Sequence, residues 1–290
     1  MTLLTLLLAG LANGSLYALV ALGLVLIYKT QDVVNFAQGE ILMAGAFVGF
    51  SAYQYLHLPY VLSFVVAMLA GAVLGAVVER VAFRRLADQH HITLAMVTVG
   101  LSVFMKGVAR IPFGTDIYTF PPAFRAERVL IGSVAVAPQH LLTIAVAVLL
   151  SLLLFGFFRY STLGKQMRAT QQNLVGARLV GINTRRVFAS TWSLSAAIAA
   201  GAGVLAAPLS LLYPDMGTNF LLKGFAAAVL GGFESVLGAI VGGFVVGIVE
   251  MLFGGYVSTA FQQVSAFFII IVVLFIKPNG LFGRRSAARV

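Results

Sequence analysis

The chain has no cysteine, a single tryptophan and very little charge: only 10% of its 290 residues are Asp, Glu, Lys or Arg. The missing thiols exclude disulfides and thiolate metal sites. The scarcity of charge excludes an ordinary soluble domain, in which about a quarter of the residues are charged because the surface must be solvated. Phosphate-cradling motifs are missing as well. No GxxxxGK[ST] occurs, and "STLGKQ" at 161–166 lacks both the first glycine and the following hydroxyl. The histidines, His57, His90, His91 and His140, show no HExxH or other metal-ligand spacing. No serine sits in a GxSxG context. No catalytic residue, metal site or cofactor of its own can be assigned to the chain, and an enzyme is not expected.

What is present is hydrocarbon. Hydrophobic residues make up 60% of the sequence and the mean hydropathy is +1.01. Apolar runs fall at 3–28, 41–57, 60–83, 92–111, 140–158, 187–212, 219–233, 236–254 and 260–277. A helix needs about 20 such residues to cross a hydrocarbon core of roughly 30 Å. The runs are continuous and do not alternate with period two, which disfavours a transmembrane barrel. The expected fold is all-α, a polytopic transmembrane helical bundle of about eight spans with one or two broken or re-entrant helices. "NGS" at 13–15 marks a possible split in the first run, and 219–233 is too short for a full crossing. The opening "MTLLTLLLAGLANG" lacks the basic region of a signal peptide and reads as retained structure.

The net charge of +10 does not point to nucleic acid, because the basic residues gather in interhelical loops. Arg80, Arg84 and Arg85 lie in 79–91; Arg159, Lys165, Arg168, Arg178, Arg185 and Arg186 in 159–186; Lys277, Arg284, Arg285 and Arg289 in the tail. The positive-inside bias places these three segments in the cytoplasm. The proline-rich loop 112–139 balances Arg125 and Arg128 against Asp116 and Glu127, and is expected outside. The whole of 1–290 reads as one transmembrane domain. Every tyrosine except Tyr17 lies at or near a proposed span end, where an aromatic belt belongs. Five GxxxG pairs (Gly10/Gly14, Gly45/Gly49, Gly71/Gly75, Gly238/Gly242 and Gly243/Gly247) argue for close helix packing, since small residues let backbones approach within lipid. Aligning Glu40 with Glu234 sets "GEILMAGAFVG" beside "FESVLGAIVGG", a faint internal repeat of the kind transporters use.

Polar residues inside such a chain are the candidates for function. "VVNFAQGE" at 33–40 packs Asn35, Gln38 and Glu40 between two apolar runs. Glu40 and Glu234 each precede a small-residue-rich span, in this topology on the cytoplasmic side. Each is placed to cap a helix start or to touch substrate, and the cap is the favoured reading. Asn13 and Asn35 lie near proposed breaks, suited to freed backbone groups or to a substrate's ammonium and carboxylate. Lys106 and Arg110 share a helix face near the external end of a span, placed to snorkel or to attract a carboxylate. Lys223 and Glu250 lie near the external side of their spans, either lining the mouth or pairing with each other. Asn13, Asn35, Gln38, Glu40, Lys223 and Glu234 are the substrate-path candidates.

The longest cytoplasmic segment holds "MRATQQNLVGARLVGI" at 167–182, with Met167, Leu174, Ala177, Val180 and Ile182 at near-helical spacing. It reads either as an amphipathic helix held by anionic headgroups or as a short helix that docks into a partner. "NGSLYALVALGLVLIYK", "VVNFAQGEILMAGAFV", "VERVAFRRL", "YSTLGKQMRAT" with "LVGIN", "KGFAAAVLGGFESVLGAIVGG" and "KPNGLFGR" together span nearly the whole chain. Together they resemble the branched-chain amino acid (LIV-type) permeases of ABC importers. Gln38 stands where that family usually has histidine, so no protonation role is carried over to it. Gln172 and Asn173 replace acidic residues, Glu234 interrupts a "GGFGS"-like stretch, and Lys106 replaces a polar uncharged residue.

The resemblance implies a multi-pass subunit of the bacterial inner membrane that performs no chemistry itself. It implies a second, similar permease, two cytoplasmic ATPases carrying the ATP-Mg, an extracytoplasmic binding protein, and surrounding lipid. The segment 159–186 would be the coupling loop, with Arg168, Leu174, Arg178, Gly181 and Ile182 as the ATPase contact. Its cargo would be branched-chain or related amino acids. Related permeases sharing these motifs leave urea, short amides or another small polar solute open. A self-sufficient secondary transporter or channel is the rival from a different class.

Overall fold

The computed structural model describes residues 3–86, 89–124, 129–131 and 134–283. Arg125, Glu127, Arg128, Arg284, Arg285 and Arg289 lie outside them. The described chain is a bundle of helices: α1 (Leu3–Gln31), α2 (Gln38–Gln54), α3 (Tyr60–Val78, continued by a π-helical turn Glu79–Phe83), α4 (His91–Phe113), α5 (Pro138–Tyr160), α6 (Thr162–Gln172), α7 (Leu174–Leu179), α8 (Thr184–Ala206), α9 (Met216–Gly231), α10 (Val236–Tyr256) and α11 (Thr259–Ile276). A two-stranded hairpin, β1 (Val129–Ile131) and β2 (Val134–Val136), decorates the loop before α5. Seven helices are long and apolar enough to cross a membrane, so the protein is a multi-pass membrane protein; α2, with 17 residues, and α9, with 16, fall short.

The basic loops meet at one end, called here the basic face. Helix α1 runs from the opposite, far face to the basic face and is almost wholly buried. Its antiparallel neighbour is α10. A Cβ on Gly247 would run into the backbone of Gly14, and one on Gly10 or Gly14 would meet α10 at Ile248 or Phe244. The GxxxG pairs thus bring two backbones together where no hydrophobic effect drives helices to associate. The other pairs do likewise: Gly45 and Gly71 both abut Ala200, so α8 is clamped between α2 and α3, and Gly242 abuts Ala227 of α9. Helices α3, α4, α5 and α11 leave most of their apolar surface outward, as a lipid-facing shell does.

The expected split at "NGS" does not occur, and α1 is one 29-residue helix. Ser15 Oγ donates back to Leu11 O at 2.7 Å, and Asn13 Nδ2 reaches Met251 Sδ at 3.5 Å, so these polar side chains are accommodated without opening the ladder. The break falls instead after α1. Asp32, at φ 53°, turns the chain, and 33–37 climbs back into the bundle before α2 starts. At the other end of the sequence the tail folds over α9: Leu281 N and Phe282 N donate to Leu230 O and Gly231 O at 2.8 and 3.1 Å. These bonds satisfy carbonyls that a helix C-terminus leaves free.

Candidate functional site

Three polar regions lie in or on this bundle. The first is the junction 33–40. Gln38 Nε2 donates to Ser195 O at 3.4 Å, and Ser195 Oγ donates to Gly23 O at 2.8 Å and lies 3.3 Å from Gln38 Oε1. Gly23 is eight residues from the end of α1 and Ser195 eleven from the start of α8. At 1.5 Å per residue the junction therefore lies about 12 to 16 Å inside the basic face. Backbone there has no water to bond, so every group needs a protein partner. Asn35 supplies two, with Oδ1 accepting from Ala37 N at 3.0 Å and Nδ2 donating to Gln38 Oε1 at 3.0 Å. Thr98 Oγ1 accepts from Phe36 N at 3.0 Å. Asn35 and Gln38 have no measurable exposure. They hold a broken backbone in place.

The second region surrounds the start of α9. Glu40, 1% exposed, was expected to cap α2 on the cytoplasmic side; it does neither. The N-cap is Ala37, with no side-chain cap, and because α2 starts deep in the bundle the carboxylate lies deeper still. There Oε1 meets Lys106 Nζ at 3.4 Å. Lys106 also donates to Thr218 Oγ1 at 2.8 Å and lies 3.8 Å from Asp215, which Arg110 holds at 2.8 Å. Lys106 thus turns inward to partners, while Arg110 pairs with Asp215 where both are half exposed.

On the remaining side of α9, Lys223 Nζ meets Glu250 Oε1 at 2.6 Å and sits 5.4 Å from the centre of the Tyr17 ring. Gln262 Nε2 reaches the same oxygen at 3.4 Å. Of the two readings of Lys223 and Glu250, the structure shows both: they pair, and they line a cavity of about 430 Å³. Its walls include Asn13, Tyr17 and Gln262, and its rim the α8–α9 linker at the far face. Glu250 is 2% exposed, and its Oε2 accepts no hydrogen bond. An unsatisfied buried acceptor costs about 1–3 kcal/mol, more when charged.

The third region is the basic face. By its spacing 167–182 reads as a single amphipathic or docking helix, but it falls across two short helices, α6 and α7. Ser161 Oγ, Asn173 Oδ1 and Asn183 Oδ1 accept from Gly164 N, Gly176 N and Arg186 N at 2.9, 2.8 and 3.2 Å, capping α6, α7 and α8 in turn. Asn173 keeps the capping oxygen that an acidic residue would supply. Met167 and Ala177 are buried and Ile182 packs on the core, while Val175, Leu179 and Val180 are 65, 82 and 77% exposed. Arg168 Nη2 donates to Arg159 O at 3.4 Å, and Arg178 Nε to Thr184 Oγ1 at 3.4 Å. Leu174 and Arg178 line a cavity of about 970 Å³ between α7, the end of α1 and the π-helical turn. Gly181, at φ +83°, makes the turn after α7 with open space around it.

Glu234 is exposed on this face, rimming the same cavity. It does not cap α10: Ser235 does, its shorter side chain placing Oγ 2.9 Å from Gly238 N. Glu40 and Glu234 therefore occupy unlike environments, and the faint repeat does not extend to them.

Sequence reasoning missed Asp215, Thr218, Ser195 and Gln262, ordinary polar residues with no spacing to mark them. Tyr17 did carry a signal, as the tyrosine away from any span end, and it proves to lie beneath the partly exposed Lys223 ammonium.

Comparison with known proteins agrees in one direction. Residues 6–276 match the family described as the permease component of the branched-chain amino acid transport system. The high-affinity branched-chain amino acid transport system permease protein LivH of Escherichia coli (strain K12) is 34% identical over 97% of this chain and 96% of its own length. The corresponding protein BraD of Pseudomonas aeruginosa is 30% identical over the same shares. A probable branched-chain amino acid permease LivH of Methanocaldococcus jannaschii is 28% identical over 93% of this chain and 89% of its own. No solved structure matches the chain.

Proposed function

The chain belongs to the branched-chain amino acid transport system permease family, and from that premise we propose that it is the membrane-spanning subunit of an ATP-driven importer of branched-chain or related amino acids. On this reading it resides in the inner membrane beside a second permease of similar fold, as a single permease domain over 1–290. Two cytoplasmic ATPases hold and hydrolyse ATP-Mg, and a binding protein delivers substrate at the face carrying the loop 112–139. The chain itself performs no chemistry. Nucleotide must then bias one conformation over another through contact alone, since a ligand shifts an equilibrium only by its differential interaction with two states.

The observation that carries this reading is the ridge of Val175, Leu179 and Val180 on α7. Most other large exposed apolar side chains sit on membrane-length helices, where lipid covers them, and a few, such as Leu56, Ile117 and Leu211, on interhelical loops; α7 is a six-residue helix among basic residues. Such a ridge suits a groove in a partner, and with it Arg168, Leu174, Arg178, Gly181 and Ile182 form the proposed ATPase contact. Leu179→Asp with Val180→Asp should abolish co-purification with the ATPases and leave the bundle intact by size-exclusion profile. Retained co-purification at wild-type yield, or uptake by liposomes holding this chain without any ATPase, would overturn the proposal.

A further inference from the structure

The cavity beside α9 has more order than a gap between helices needs. Its centre is a Lys223–Glu250 pair drawn to 2.6 Å, with Tyr17 under the ammonium and Gln262 behind the carboxylate. One carboxylate oxygen of Glu250 stays buried with no hydrogen bond, although the Tyr17 phenol lies against the same group. Lys223 carries three N–H donors and spends one on Glu250. The remaining walls mix apolar side chains, among them Leu16, Met216 and Phe220, with the polar Asn13, Asn219 and Gln263. A volume of about 430 Å³ lies within the roughly 300–1,000 Å³ of small-molecule sites, which combine apolar walls with a few placed polar groups.

We infer that this cavity is a binding site for a zwitterionic α-amino acid with an aliphatic side chain, in which Lys223 takes the substrate carboxylate and Glu250 its ammonium. The inference rests on the amino acid reading of the permease and assigns that reading a site. An ion pair matched to a zwitterion exchanges one pair for two of the same sign arrangement, so charge balance in the low-dielectric interior is kept throughout. The aliphatic chain lies against Leu16, Met216 and Phe220. A neutral solute offers neither half of this exchange. Without substrate, the Lys223–Glu250 pair closes on itself and keeps both charges neutralised.

The test uses the permease assembled with its co-purifying partners. Binding of labelled leucine is measured on the permease–ATPase complex without binding protein, and uptake on the complete importer in proteoliposomes. Glu250→Gln and Lys223→Met should each weaken leucine binding at least tenfold and cut uptake by a similar factor. Leucinamide, which lacks the carboxylate, should be insensitive to Lys223→Met; 4-methylpentanoate, which lacks the ammonium, should be insensitive to Glu250→Gln. The double variant Lys223→Met/Glu250→Gln separates binding from architecture. A pair that serves only folding is restored by removing both charges, whereas a binding pair is not. Recovery of leucine binding and uptake in the double variant overturns the site. Wild-type uptake of leucine with unaffected single variants also overturns it and leaves the amino acid reading standing. Failure of the wild-type importer to take up leucine sinks that reading itself.

Discussion

Two lysine–glutamate pairs flank α9, and their chemistry is the same while their surroundings are not. Thr218, which holds Lys106, and Lys223 are five residues apart, about 140° around the helix. Glu40 and Lys106 are tied to Thr218, Asp215 and Arg110 in a network that joins α2 and α4 to the start of α9. Glu250 and Lys223 open onto a cavity whose rim reaches the far face. Each leaves one buried carboxylate oxygen without a hydrogen bond, and the second borders a cavity of about 430 Å³. The difference teaches that an intramembrane ion pair is not in itself a substrate site. One pair positions a short helix, and the other is placed to receive.

The contrast can be broken experimentally. The largest effect is expected from Lys106→Met, which leaves Glu40 buried and unpaired at a cost of about 3–5 kcal/mol. Denaturation of the purified protein should show it, and adding Glu40→Gln should recover most of the loss. A Lys106→Met protein as stable as wild type would erase the distinction between the pairs. Gln38→Leu should cost less, about 1–3 kcal/mol, because Asn35 Nδ2 and Ser195 lose a buried partner while no charge is exposed. If it reduces leucine affinity without reducing stability, the junction belongs to the substrate path and not to the scaffold. The smallest change is expected from Arg110→Ala. Its bond to Asp215 is half exposed on both sides, and such pairs contribute roughly 0–1 kcal/mol. A larger loss would show that the Asp215 network is more closed than its exposure implies.

Much of the architecture was legible in the residues. The apolar runs mark the helices because hydrocarbon demands about 20 consecutive apolar residues, and every glycine of the GxxxG pairs but Gly49, which faces the Val204 side chain, proved to abut another helix's backbone. What misled was local polarity. "NGS" looks like a break but lies inside a continuous helix, because Asn13 finds Met251 and Ser15 finds its own turn. Glu40 and Glu234 look alike in sequence, yet one is buried against Lys106 and the other is exposed, because α2 begins deep in the bundle and α10 at its basic face.

"VVNFAQGE" shows where that division falls. By itself the sequence determined a multi-pass helical protein, its family, and a polar interruption after the first span, since hydropathy and spacing are properties of neighbouring residues. Only the tertiary structure decided that the interruption climbs back into the bundle, that Asn35 and Gln38 close their bonds with Ala37, Ser195 and each other, and that Glu40 meets Lys106. It also brought Lys223, Glu250 and Tyr17, drawn from three helices, around one cavity. Apart from Asn35, Ala37 and Gln38, those partners lie tens to hundreds of residues apart, and no periodicity along the chain specifies which face of one helix will meet which face of another.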